Sequence, residues 1–188
     1  MSGGARVLLL LGLALLLAGC GGDDETPGGA ADLPGPVPAG TTFKDPPPGA
    51  LSAPPFAAEL LDGTRVRGAD LWRERPLVLV FTASWCDRCA DVHAEAARAV
   101  DEHGDAIGLL GIVAEDDREP ALGYAEELDL GHPVAVAAER VWLNYAAREP
   151  PVVVLVARGG KVLRGWSGGV GASTLSRRLA ELLAPEPR

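Results

Sequence analysis

Residues 81–89 read Phe81-Thr-Ala-Ser-Trp-Cys-Asp-Arg-Cys89 and complete an apolar run that starts at Leu77. The run Leu77–Phe81 predicts a buried β-strand, and the residues from Cys86 onward are typical of a helix. Cys86 and Cys89 are therefore spaced i and i+3 at a helix start, where they can close a small disulfide. The N–H groups and the macrodipole of a helix N-terminus stabilise a thiolate. Because disulfide exchange needs a thiol of lowered pKa, the pattern predicts thiol–disulfide redox chemistry.

Two other interpretations of the cysteine pair remain open. The pair could be half of a zinc site, but such a site needs about four ligands, usually Cys or His. The three histidines, His93, His103 and His132, do not show the spacing of a zinc-binding pair. The pair could also be a purely structural disulfide, but so short a loop removes little entropy from the unfolded chain.

The sequence from residue 51 to residue 188 alternates strand-like and helix-like segments, and its length suits one domain. Asp62-Gly63 and Gly159-Gly160 mark two hairpin turns. This alternation predicts an α/β domain in which helices flank a central mixed β-sheet. Strands are predicted at residues 56–61, 64–67, 77–82, 106–114, 134–137, 152–157 and 161–166, and helices at residues 86–103, 120–128, 139–147 and 172–183.

The N-terminal 19 residues have the parts of a secretory signal peptide. A short segment with one basic residue, Arg6, precedes an apolar run that is too short to span a bilayer. The sequence Leu-Ala-Gly-Cys that ends at Cys20 resembles a bacterial lipobox, which implies that Cys20 is diacylated and becomes the mature N-terminus. An ordinary signal peptide that contains a cysteine is the alternative. The chain has three cysteines, and lipid on Cys20 would leave one redox pair with no thiol left over.

Residues 20–50 are rich in Gly, Pro, Ala and Asp and contain few large apolar side chains. Such a composition buries too little apolar surface to fold alone, so the segment is predicted to be a disordered tether behind the lipidated cysteine. The formal net charge of the chain is −9, which argues against a nucleic-acid partner.

The pentapeptide Trp-Cys-Asp-Arg-Cys at residues 85–89, placed after a buried strand, resembles the Trp-Cys-x-x-Cys site of thioredoxin-like proteins. The extra segment between Ala106 and Ala138, together with the lipobox, makes the chain similar to the membrane-tethered TlpA/ResA-like thiol–disulfide oxidoreductases. The resemblance covers about residues 54–183. It implies a thioredoxin-like fold for residues 51–188 and a site on the extracytoplasmic face of the cell membrane.

The same resemblance assigns Pro150 and Pro151 to the substrate groove. Pro151 falls where the family places a cis-proline before a strand, beside the dithiol. The residue before that proline pairs with the substrate backbone in these proteins, and Pro150 has no N–H to donate. Trp85, next to the dithiol, is expected to flank the same groove.

The predicted activity is that of a protein disulfide reductase that needs no metal or organic cofactor. Cys86, nearer the helix start, is expected to attack the substrate disulfide, and Cys89 to resolve the mixed disulfide. The expected partners are protein thiols and disulfides and an upstream membrane electron donor, with the chain acting as a monomer. A disulfide-donating oxidase and a non-catalytic binding module of the same fold are the alternatives.

Three residues near the cysteines have no assigned role at this point. The charge of Arg88 would favour a thiolate and that of Asp87 would oppose it, so their net effect stays open. His93 lies one turn after Cys89 on the same side of the predicted helix. It is interpreted as a plain surface or boundary residue, with proton transfer as the alternative.

Overall fold

A computed structural model of the chain describes residues 26–114 and 118–184. The predicted signal peptide and Cys20 lie outside these ranges. Within them the chain forms seven β-strands and five α-helices. The strands are β1 (Ala57–Leu60), β2 (Arg65–Arg67), β3 (Leu77–Phe81), β4 (Gly108–Ala114), β5 (Val134–Ala137), β6 (Val152–Ala157) and β7 (Lys161–Ser167). The helices are α1 (Gly68–Leu71), α2 (Cys89–Asp101), α3 (Arg118–Glu127), α4 (Glu139–Asn144) and α5 (Ala172–Ala180).

The seven strands form one mixed sheet in the order β2-β1-β5-β4-β3-β6-β7. The neighbours β3, β4 and β5 run parallel, whereas β1 pairs antiparallel with β2 and β5, and β6 pairs antiparallel with β3 and β7. The predicted central mixed sheet flanked by helices is therefore confirmed. Its inner strand β3 carries the cysteine loop at its C-terminal end.

Both faces of β3 are covered, since all five of its residues are buried. Successive side chains of a strand point to opposite faces. Val78 and Val80 pack with residues of α2 and α5, whereas Leu79 and Phe81 pack on the other face with Trp72 and Trp142. Because both of its faces are packed, β3 is held firmly in place, and the loop with Cys86 follows directly from its end.

Residues 26–50 differ from the predicted disordered tether, because they pack against the domain. The backbone N–H of Val134 donates to the carbonyl of Gly28 at 2.9 Å. The buried guanidinium of Arg75 donates to the carbonyl of Gly35 at 2.6 Å and to that of Asp105. Phe43 forms an isolated antiparallel bridge with the backbone of residue 183. The segment is held largely through its backbone, which composition does not reveal.

The predicted element boundaries agree best for β5 and β6, whose limits match. Helix α1, of only four residues, is absent from the prediction, and α5 ends three residues earlier than predicted. No helix in residues 26–114 and 118–184 combines the length and apolar character needed to cross a bilayer.

Candidate active site

The cysteine loop leaves the sheet directly after β3. The N–H of Thr82 still donates to the carbonyl of Ile112 at 2.9 Å, and the chain then turns through two short hydrogen bonds. The N–H of Cys86 donates to Ala83 at 3.1 Å, and that of Cys89 donates to Cys86 at 2.9 Å. Helix α2 begins at Cys89 and not at Cys86 as predicted. Cys86 therefore sits in the turn that precedes the helix, and its carbonyl accepts from the first N–H of the helix.

Cys86 and Cys89 form a disulfide, with 5.4 Å between their Cα atoms. Cys86 is 8% exposed, whereas Cys89 is fully buried. Of the two sulfurs, only that of Cys86 belongs to a residue that lines a surface groove. An incoming thiol or disulfide can thus meet Cys86 and cannot meet Cys89.

The groove at Cys86 has a volume of about 680 Å³. Trp85, with 69% of its surface exposed, lies on the same side as Cys86. Pro150 and Pro151 line the same groove, and the peptide bond between these prolines is cis. The structure therefore brings together the predicted redox and groove residues. The remaining lining residues are Asp87, Arg88, Ala146, Arg148, Glu149, Val152, Ser167 and Gly168.

Arg88 connects the two sides of this groove. Its guanidinium donates a hydrogen bond of 2.9 Å to the carbonyl oxygen of Gly168, just beyond the end of β7. This bond fixes the guanidinium at the groove that Cys86 lines, where its positive charge favours a thiolate at Cys86. Asp87, the adjacent groove residue, carries the opposing charge.

A buried polar cluster lies behind the disulfide, and His93 is its centre. His93 is fully buried, and its Nδ1 lies 2.8 Å from Nε2 of His132, which is 5% exposed. The interpretation of His93 as a surface or boundary residue is therefore wrong. Burial lowers the pKa of His93 to about 3, helped by the charge of His132, and lowers the pKa of His132 to about 4. Both rings are neutral at pH 7.

Tyr124 of α3 joins this cluster to the cysteines. It packs against Cys86 and Cys89, and its ring centre lies 6.1 Å from that of His93. Burial raises the pKa of Tyr124, and the nearby hydroxyl of Thr82 acts to lower it. Neither hydroxyl has a partner at normal hydrogen-bond distance within the described residues. Sequence reasoning did not identify Thr82, Tyr124 or His132, which come from three separate parts of the chain.

A second groove, of about 800 Å³, lies at the other edge of the sheet. It is larger, but no cysteine lines it, so the chemistry expected from the sequence points to the groove at Cys86. Four of its lining residues are basic, namely Arg65, Arg67, Arg118 and Arg140. In the part of the chain that the structure describes, no group of three or more His, Cys, Asp or Glu residues is arranged to hold a metal ion.

No protein-family model matches the chain, and a search of curated proteins also found no match. Solved structures do match. A thiol–disulfide oxidoreductase from Bacteroides fragilis is 27% identical, with a TM-score of 0.61 over 70% of this chain and 98% of its own. A secreted Mycobacterium tuberculosis disulfide oxidoreductase homologous to E. coli DsbE is 22% identical, with a TM-score of 0.58 over 68% of this chain and 96% of its own. StoA from Bacillus subtilis is 17% identical, with a TM-score of 0.57 over 68% and 97%.

The matched structures, which include the thioredoxin domain of a Bacteroides vulgatus thiol–disulfide oxidoreductase, confirm the predicted thioredoxin-like fold. The Bacteroides fragilis and Mycobacterium tuberculosis proteins are disulfide oxidoreductases, and this chain has a Cys-x-x-Cys pair, formed by Cys86 and Cys89. What the site can do chemically follows from its geometry, because a reducible disulfide with one accessible sulfur can exchange with thiols in solution.

Proposed function

We propose that this chain is an extracytoplasmic thiol–disulfide oxidoreductase of the TlpA/ResA-like type, which acts as a protein disulfide reductase. The observation that carries the proposal is the Cys86–Cys89 disulfide, which lies on a groove lined by Trp85, Pro150 and Pro151. Such a groove accepts an extended peptide segment beside the reactive sulfur. The substrates are protein disulfides, and the chain works as a monomer.

The reaction begins with the reduced protein. The Cys86 thiolate attacks one sulfur of the substrate disulfide, forms a mixed disulfide and releases the other sulfur as a thiolate, which takes up a proton. Cys89 then loses its proton and attacks Cys86. The second substrate thiolate leaves and is protonated, and the Cys86–Cys89 disulfide remains. Two electrons have passed from the protein to the substrate, and an upstream membrane donor must return them.

Insulin reduction by purified protein with a thiol reductant tests this proposal. The wild-type protein should accelerate reduction, and Cys86→Ser should abolish the acceleration. Cys89→Ala should accumulate the mixed disulfide with its substrate, because the resolving thiol is missing. Wild-type protein that exchanges no disulfides, or a Cys86→Ser protein that keeps its full biological function, would favour a non-catalytic binding module.

The direction of electron flow is tested by the reduction potential of the Cys86–Cys89 couple. Equilibration with glutathione buffers, followed by alkylation and mass analysis, measures it. A potential near that of thioredoxin, about −270 mV, supports a reductase, whereas one near that of a strong oxidant, about −120 mV, identifies a disulfide donor.

The location of the protein follows from the proposed lipid on Cys20. The support for it is the sequence Leu-Ala-Gly-Cys that ends at this residue, directly after an apolar run. Mass spectrometry of the mature N-terminus should find diacylglycerol on Cys20, and Cys20→Ser should release the protein from membranes. A soluble mature form with an unmodified Cys20 would contradict the anchor and leave the redox proposal unaffected.

A further inference from the structure

The resolving step of the proposed exchange needs Cys89 to lose a proton, and Cys89 is fully buried. A buried thiol resists ionisation, because the low dielectric of the interior disfavours the charged form. Solvent at the groove reaches Cys86 and not Cys89, since Cys89 is not among the lining residues. A proton from Cys89 therefore needs a route through the protein.

Buried polar groups lie close to Cys89 and extend away from the groove at Cys86. His93 is four residues after Cys89 in α2, so the two side chains lie on the same face of the helix. Tyr124 packs against the cluster of Ala83, Cys86 and Cys89, and its ring centre lies 6.1 Å from that of His93. The Nε2 atom of His93 and the hydroxyl of Tyr124 are both buried, and neither has a hydrogen-bond partner in the described residues. Neither atom therefore hydrogen-bonds the other or the Cys89 sulfur in the oxidised protein, and Nε2 of His93 is free to accept a proton.

The route continues to a different surface of the molecule. Nδ1 of His93 is hydrogen-bonded to Nε2 of His132. His132 lines a groove of about 410 Å³ that is separate from the groove at Cys86. Carboxylates line this 410 Å³ groove, here called the Asp-lined groove, and favour the arrival of a proton. The carboxylate residues that line it are Asp32, Asp101, Asp105 and Asp129.

We propose that His93 and His132 relay the proton of Cys89 to this Asp-lined groove during resolution of the mixed disulfide. The proposal rests on the proposed thiol–disulfide exchange. The proton leaves the Cys89 sulfur and binds Nε2 of His93. Nδ1 of His93 gives its own proton to Nε2 of His132, which releases one to the groove. One proton enters and one leaves, and the electron pair stays on the Cys89 sulfur for its attack on Cys86.

The relay works only while both histidines are neutral, so the groups that face them matter. From α2 these are Cys89 and Asp91, the latter acting through Tyr124, and from α3 it is Tyr124 itself. From the end of β3 it is Thr82. The four aspartates of the Asp-lined groove lie on the His132 side. No cationic side chain hydrogen-bonds to either histidine among the described residues, and burial keeps both rings unprotonated at neutral pH.

Stopped-flow reaction of the reduced protein with 5,5′-dithiobis(2-nitrobenzoate) separates the two steps. The first nitrothiolate is released when Cys86 attacks, and the second when Cys89 resolves the mixed disulfide. His93→Gln should leave the first release at the wild-type rate and slow the second about 100-fold at pH 7, the lower range for lost general acid–base catalysis. The rate of the second release in this variant should then rise about tenfold per pH unit, as hydroxide replaces the relay. His103→Gln, beyond the end of α2, is the matched control and should behave as wild type.

His132→Gln is the second variant, since it keeps His93 and removes the exit to the groove. It should also slow only the second release, and the wild-type second release should be slower in D₂O. If His93→Gln does not fold, the rates of His132→Gln and the solvent isotope effect test the relay. A second release at wild-type rate and pH profile in the folded histidine variants, or an unchanged His132→Gln with no solvent isotope effect, overturns the relay. A wild-type protein that releases no second nitrothiolate instead overturns the proposed function.

Discussion

Arg88 and Gly168 tie the cysteine loop to the end of the β6–β7 hairpin through a hydrogen bond of 2.9 Å. The bond fixes the guanidinium of Arg88 at the groove that Cys86 lines, and the same loop carries Asp87. The effects of the two charges can be measured separately, because Arg88 and Asp87 shift the pKa of the Cys86 thiol in opposite directions.

Arg88→Gln should raise the pKa of the Cys86 thiol, and Asp87→Asn should lower it. Interactions of exposed charges are worth about 0.2–1 kcal/mol, so each shift should be about 0.1–0.7 pKa units. The pH dependence of iodoacetamide alkylation measures it in the reduced protein. Arg98→Gln, an exposed change on the same helix, serves as the control. Equal pKa values in all four proteins would show that the loop charges do not influence Cys86.

Trp85→Ala should weaken the docking of peptide substrates. An exposed tryptophan beside a reactive groove offers a large apolar surface for a partner, and losing such a contact costs about 1.4 kcal/mol or more, a tenfold change. KM for a peptide disulfide should therefore rise about tenfold with little change in kcat. The rate with a small aromatic disulfide should stay the same. Leu143→Ala, an exposed leucine outside the groove, should change neither rate.

Gly169→Ala should destabilise the domain through two separable effects. Its φ of +89° is unfavourable for alanine by about 1–2 kcal/mol, and the added methyl group would lie 2.4 Å from Cγ2 of Val92 in α2. Gly63→Ala is the matched control, because its φ is +90° and no described atom lies within 4 Å of the added carbon. Urea unfolding should show a larger loss for Gly169→Ala by about 1–3 kcal/mol.

The excess loss at Gly169 should be relieved by a second substitution. In the double variant Gly169→Ala/Val92→Ala the clashing methyl groups are absent, so its loss should be smaller than the sum of the two single losses by at least about 0.5 kcal/mol. Additive losses would mean that strain in the backbone, and not contact with α2, accounts for the effect.

The stability of the protein should fall as the pH drops from about 6.5 to about 4. His93 and His132 have lowered pKa values in the folded state, so in this range the unfolded chain binds more protons and is favoured. Two such groups should reduce the free energy of unfolding by about 2–4 kcal/mol between pH 7 and pH 5. Asp62 and Asp70, whose pKa values are lowered from 3.8, act only at lower pH.

Urea unfolding at pH 7, 6 and 5 checks this dependence on pH. The double variant His93→Gln/His132→Gln should be less sensitive to pH over the same range, even where it is less stable at pH 7. A wild-type stability that stays level down to pH 5 would mean that the histidine pair is solvated or paired with an anion.

The sheet was largely predictable from the sequence, because its inner strands are continuous apolar runs bounded by turn residues. Leu77–Phe81 and Val152–Ala157 are buried along their whole length, and glycines 159 and 160 define the hairpin that follows. Helix α1 was not predictable in this way, since four residues show no helical period. The packing of residues 26–50 depends on backbone carbonyls that accept from Val134 and Arg75, and such contacts leave no pattern in the sequence.

The candidate site was predictable where its residues are close in sequence and not where the fold brings distant residues together. Trp85, Cys86 and Cys89 stand in one motif, and the resemblance placed Pro151 beside them. The pair His93–His132 joins residues 39 positions apart. One sign was available, since His93 follows Val92 and precedes Ala96 in the apolar stripe of α2, and a histidine in such a stripe is buried.

The packed N-terminal segment limits how far the redox site can travel from a membrane. A free tether from Cys20 to residue 50 would extend up to about 100 Å, whereas six residue steps lead from Cys20 to Thr26, at most about 22 Å. With the lipid proposed on Cys20, this short connection keeps the domain close to the bilayer surface. Its substrates and its electron donor would then be proteins that are themselves at the membrane. Examples are polypeptides that are leaving the membrane and electron donors that are embedded in it.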